Sequence, residues 1–97
     1  MKVEKIMEGN TLTVLIEGRL DTLTAQDLEK ELDNFDGVEN LIIDLEKLEY
    51  ISSSGLRVLL SCQKKMNYQG SMVIRNASDE IKNIFDITGF TNYFTIE

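Results

Sequence analysis

Histidine and proline are absent from this sequence, and cysteine occurs once, at Cys62. Without histidine there is no Ser-His-Asp or Cys-His constellation, and the commonest general base and metal ligand is missing. A zinc site would have to draw on carboxylates and Cys62 alone, a poor donor set. No metal and no other cofactor is therefore expected. A single cysteine cannot close an internal disulfide, so the sequence does not read as a secreted disulfide scaffold. The lack of proline excludes an X-Pro switch and a proline-kinked helix. Long hydrophobic runs are missing too. The longest, such as Val58-Leu59-Leu60, are far too short to span a bilayer. Met1 to Lys5 leads into no apolar stretch of the signal-peptide kind. A cytoplasmic location without membrane insertion is the expectation. Positive charge is also scarce: ten basic residues face seventeen acidic ones, a net charge of -7. That balance argues against nucleic acid as a partner and against anionic membranes. It suits a basic surface on a partner protein.

What is present fits one small α/β domain. The 97 residues are expected to form a single domain, 1–97, with one modest core. Lys2 to Met7 is a weak strand candidate, and Glu8-Gly9-Asn10 is a hairpin-type turn signal. From Thr11 to Glu17, Leu12, Val14 and Ile16 alternate with polar residues, the period-two signature of a half-buried strand. Ala25, Leu28, Leu32 and Phe35 then recur at helical spacing, with Thr24 as the expected N-cap and Asp36-Gly37 as the stop. Leu41 to Leu45 reads as a strand buried on both faces. A second helix follows Ser52-Ser53-Ser54-Gly55, and Met72-Val73-Ile74 is a further strand. Ser78 to Thr88 is a third helix stopped by Gly89, and Tyr93 to Ile96 is expected as a last short strand. The expected order is β-β-α-β-α-β-α-β: a mixed β-sheet with three helices mainly on one face and right-handed crossovers.

The most informative segment is Tyr50-Ile51-Ser52-Ser53-Ser54-Gly55-Leu56-Arg57. It joins a buried strand region to a helix start, on the sheet edge where open α/β folds bind ligands. Serine is a leading N-cap, so capping and turn chemistry by themselves explain serines at this point. The alternative is that one of them carries a covalent phosphate, which adds about -1.5 to -2 charges at a helix end that tolerates them. Serine catalysis is not supported. Ile51 stands where a G-x-S-x-G elbow around Ser53 would need glycine, and no histidine is present to act as base. Asp21 is read either as a partner contact or as an Asx-type turn before the first helix. Asp44 is expected to hydrogen-bond a neighbouring loop, and Tyr93 and Phe94 are expected in the core.

Gly18-Arg19-Leu20-Asp21, Leu41-Ile42-Ile43-Asp44-Leu45 and above all Tyr50-Ile51-Ser52-Ser53-Ser54-Gly55-Leu56 resemble the STAS domain of bacterial anti-sigma factor antagonists. The resemblance runs over essentially the whole chain in matching order. It implies a non-enzymatic regulator that sequesters an anti-sigma factor which is also a serine kinase. That kinase phosphorylates the antagonist and breaks the complex, and a serine phosphatase resets it. The family's usual segment reads Asp-Ser-Ser/Thr-Gly with the first hydroxyl residue as acceptor, which makes Ser53 the implied phosphoacceptor. Ser52 and Ser54 are the other acceptor candidates, and Ser52 stands where aspartate is usual. Asp21, Thr22, Ser52, Ser54, Gly55, Leu56 and Arg57 are the implied partner-binding residues, with Gly55 permitting close backbone approach. The chain is expected as a monomer or weak dimer. The other readings are a STAS scaffold or accessory subunit that is never phosphorylated, as in lipid-transport complexes, and a small-ligand or nucleotide sensor.

Overall fold

The computed structural model describes residues 1–97. In chain order the elements are β1 (Lys2–Glu8), β2 (Thr11–Leu20), α1 (Thr22–Glu31), β3 (Asn40–Asp44), β4 (Leu48–Ile51), α2 (Ser53–Met66), β5 (Ser71–Arg75) and α3 (Asp79–Thr88). A 3-10 turn over Phe90–Tyr93 closes the series. The sheet runs β1-β2-β3-β5, with β1 antiparallel to β2 and the other pairs parallel. β4 pairs with the far end of β2, beyond the point where β2 leaves β3. The switch occurs at Gly18, whose φ of +98° favours glycine and whose N–H donates to the Lys47 carbonyl at 3.0 Å.

Alternation decides the layers. Leu12, Val14 and Ile16 of β2, Leu41 and Ile43 of β3, and Met72 and Ile74 of β5 are buried and face the helices. The intervening Thr13, Leu15, Ile42 and Val73 remain partly exposed, so the opposite face has no helix over it. Leu28, Leu56, Leu59, Ile81 and Phe85, from all three helices, fill the same apolar cluster of 25 buried residues. No helix is long and apolar enough to cross a membrane.

Several expectations are corrected. Leu48–Ile51 is a strand, so the order is β-β-α-β-β-α-β-α rather than the expected one. Tyr93 to Ile96 is not a strand. Gly89 ends α3 in the left-handed region at φ +79°, and the chain then turns through Phe90–Tyr93. Only Ile96 makes a bridge, parallel to Ile74. Phe94 packs on Phe85 with ring centroids 5.7 Å apart, whereas Tyr93 is 59% exposed and lies outside the core. The α1 helix starts at Thr22 with Asp21 as N-cap, not Thr24. It ends at Glu31, although Leu32 and Phe35 are still buried. Asp44 does hydrogen-bond its neighbouring loops, accepting from the Glu46 N–H and the Asn76 side-chain amide.

Candidate functional site

The serine turn forms where β2 and β4 end side by side. Leu20 and Ile51 are register partners, and the Ser52 N–H donates to the Leu20 carbonyl at 2.8 Å. Ser52 is the N-cap of α2: its extended backbone (φ -90°, ψ 170°) lets Oγ accept from the Gly55 N–H at 3.2 Å. Ser53, the first helical residue, is exposed, and its hydroxyl makes no hydrogen bond within the chain. Ser54 is half-buried. It lines a shallow groove of about 300 Å³ between α1 and α2, together with Thr22, Gln26, Glu29, Arg57 and Ser61.

Asp21 follows Leu20 directly and caps α1 on the same edge. Its Oδ1 accepts from the N–H groups of Leu23 and Thr24, each at 3.0 Å, and the Asp21 N–H donates to Thr24 Oγ1 at 2.8 Å. This is a reciprocal capping box with threonine in place of the usual glutamate. The hydrogen bonds from Thr24, then that from Leu23 and the nearby Arg19 charge, hold the Asp21 carboxyl below its ordinary range. Because the folded-state pKa is depressed, the cap's contribution is present above the ordinary aspartate pKa. It is lost as pH falls through the folded value. Asp21→Asn keeps an N-cap without the titration. The melting-temperature gap between wild type and this variant is therefore expected to be widest near neutral pH and to close in acid. A gap that stays constant over the acid range would contradict this account of the cap.

The STAS domain model matches residues 2–97. The chain belongs to the STAS domain family. BtrV of Bordetella bronchiseptica, named as a candidate anti-sigma factor antagonist, is 33% identical over 99 residues. The match spans 99% of this chain and 85% of BtrV. The anti-sigma-B factor antagonist of Staphylococcus aureus is 29% identical, with 92% of this chain and 85% of that protein covered. Among solved structures, the Bacillus cell fate determinant SpoIIAA in its phosphorylated form superposes with a TM-score of 0.76 at 20% identity. That superposition covers 99% of this chain and 91% of SpoIIAA.

In this STAS domain the expected site residues divide by exposure. Thr22, Ser53 and Arg57 are exposed, and Asp21, Ser52 and Ser54 are half-buried beside them. Leu56 is a correction: it is fully buried, so its side chain belongs to the core and not to a contact surface. Gly55 is buried as well, and its reason is internal. A Cβ at this position would lie 2.7 Å from Leu20 Cγ and 3.0 Å from Ile51 Cγ1, so glycine lets α2 sit close on the ends of β2 and β4. Two features were missed from the sequence. Leu23, in the first turn of α1, is 76% exposed beside Asp21. The Arg19 guanidinium lies 4.5 Å from the Tyr50 ring centroid, a cation–π contact next to the serine turn. Arg19 and Tyr50 are register partners across β2 and β4, so only recognition of β4 could have paired them. Cys62 offers no nucleophile: burial pushes its thiol up to about 11.

Proposed function

We propose that this STAS domain is an anti-sigma factor antagonist, switched off by phosphorylation of Ser53. The observation that carries the reading is the division of labour in the serine turn. Ser52 spends its hydroxyl on the cap and Ser54 is half-buried in the groove, while Ser53 presents a free, exposed hydroxyl on the first turn of α2. The names of the relatives support antagonism, and SpoIIAA, solved in a phosphorylated form, supports a phosphate on this fold.

The partner is an anti-sigma factor that is also a serine kinase. Unmodified, the domain holds it through the surface around Asp21, Thr22, Ser53 and Arg57 and so frees a sigma factor. ATP supplies the phosphoryl group, the partner supplies the catalysis, and a serine phosphatase reverses the step. The antagonist itself needs no catalytic group. Phosphate adds three strong acceptor oxygens and about -1.5 to -2 charges, taking the domain from -7 to roughly -9. The α2 N-terminus accepts that charge without refolding, while a partner surface shaped for a hydroxyl does not. Ser52 in place of aspartate preserves the cap, because both residues are leading N-caps, and removes only a carboxylate beside the acceptor. The setting proposed for this exchange is the cytoplasm.

The test is phosphate transfer. Incubation with magnesium ATP and a serine-kinase anti-sigma factor that binds this domain should place phosphate on Ser53, and Ser53→Ala should take none. Absence of phosphate from Ser52, Ser53 and Ser54 alike would favour a constitutive binder.

A further inference from the structure

Along the β1-β2-β3-β5 path the sheet has two outer strands, and only one of them is closed. Along β5, the Ile74 N–H donates to the Thr95 carbonyl and the Glu97 N–H to the Ile74 carbonyl, each at 2.8 Å. An Arg75–Glu97 ion pair at 3.1 Å fixes that segment in place. β1 has β2 on one side and no strand on the other over seven residues. Its guards are the charged side chains of Lys2, Glu4, Lys5 and Glu8 and not a break in the strand. There is no proline and no bulge, and Ile6 and Met7 are 40% and 48% exposed.

We propose that the β1 edge is the interface of a twofold-symmetric dimer of this chain. The register follows from the hairpin. Gly9, at φ +62°, and Asn10 make a two-residue turn closed by the Glu8–Thr11 pair. That closing pair exchanges hydrogen bonds. Alternation then turns the N–H and C=O groups of Val3, Lys5 and Met7 outward. One twofold pairing uses all three: Val3 opposite Met7 of the second copy, Lys5 opposite Lys5, and Met7 opposite Val3. On the uncovered sheet face, the same register sets Lys2 opposite Glu8 at both ends and Glu4 opposite Ile6 between them. Opposite charges thus meet twice and Met7 gains apolar cover. The one like-charge pair is already compensated, because each Lys5 Nζ lies 3.0 Å from the Glu31 carboxylate of its own α1. The edge lies on the far side of β2 from β4, so both serine turns stay open in the dimer.

Sedimentation equilibrium of the full chain, from about 10 μM to about 1 mM, tests the interface. The wild type is expected to shift from monomer to dimer within that range. Lys2→Glu and Glu8→Lys each turn two attractions into repulsions and should weaken dimerisation about tenfold. The double variant Lys2→Glu/Glu8→Lys restores opposite charges and should recover it. Matching melting temperatures for all four proteins would show that the fold is intact. A wild type that stays monomeric throughout overturns the proposal. So does a dimer indifferent to the single changes, or single losses that the double variant fails to repair.

Discussion

Ser53→Asp is expected to lower affinity for the anti-sigma factor about 100-fold, while Ser53→Ala binds like the wild type. The magnitude follows from an unpaired charge at the centre of a contact, which costs about 2–5 kcal/mol when no partner group answers it. The same carboxylate is harmless to the isolated domain. It would sit at the first helical position of α2, where the dipole is positive and solvent is available. The melting temperature should therefore hold or rise slightly as binding falls. Titration calorimetry and thermal unfolding on the same samples separate the two effects. Equal affinities for the aspartate and alanine variants would remove the electrostatic mechanism. A large loss of stability in Ser53→Asp would show that the site cannot accept charge at all.

The largest effect on folding is expected far from that site. Gly70→Ala should destabilise the domain by at least about 3 kcal/mol, at the upper end of what one added methyl causes through overpacking. Gly70 links α2 to β5, and its N–H donates to the Met66 carbonyl at 2.7 Å. A Cβ there would stand 1.8 Å from the Glu39 carbonyl oxygen, which is backbone and cannot rotate away. That same oxygen accepts from the Ser71 N–H at 2.9 Å and starts the β3–β5 ladder. The methyl must therefore push apart the start of two central strands. Gly37→Ala is the control: its φ of +79° is unfavourable for alanine, but no atom lies within 4 Å of the added carbon. It should cost about 1 kcal/mol. Chemical denaturation of both variants measures the difference, and equal losses would contradict the steric account.

Much of the fold was legible because the signals were local. The alternation of Leu12, Val14 and Ile16 described β2, and the apolar run at Leu41 to Leu45 described β3. The spacing of Ile81 and Phe85 described the buried side of α3. β4 was illegible because it has four residues, and the middle two, Glu49 and Tyr50, are exposed and break any apolar run. Its partner is the far end of β2, some thirty residues earlier, and no local pattern carries that pairing. The N-cap of α1 was misplaced because Asp21, Thr22 and Thr24 can all cap. The choice was made by the end of β2 at Leu20, held by Ser52 from another element. In the site, the serine turn was visible as a motif, and its position on α2 was correctly anticipated. Leu56 was grouped with the surface by its neighbours in sequence. One step along a helix turns a side chain by about 100°, enough to take Arg57 into solvent and Leu56 into the core. Leu23 went unnoticed because an apolar residue at a helix start reads as core until its neighbours are placed.

One phosphate on Ser53 is expected to dissolve the complex with the anti-sigma factor. Native mass spectrometry of the complex, before and after addition of magnesium ATP, tests it directly. An intact complex is expected at first. With ATP the partners should separate, with the antagonist one phosphate heavier and the modification mapped to Ser53. A complex that persists with ATP while Ser53 is phosphorylated, or that dissolves with Ser53 unmodified, would contradict it.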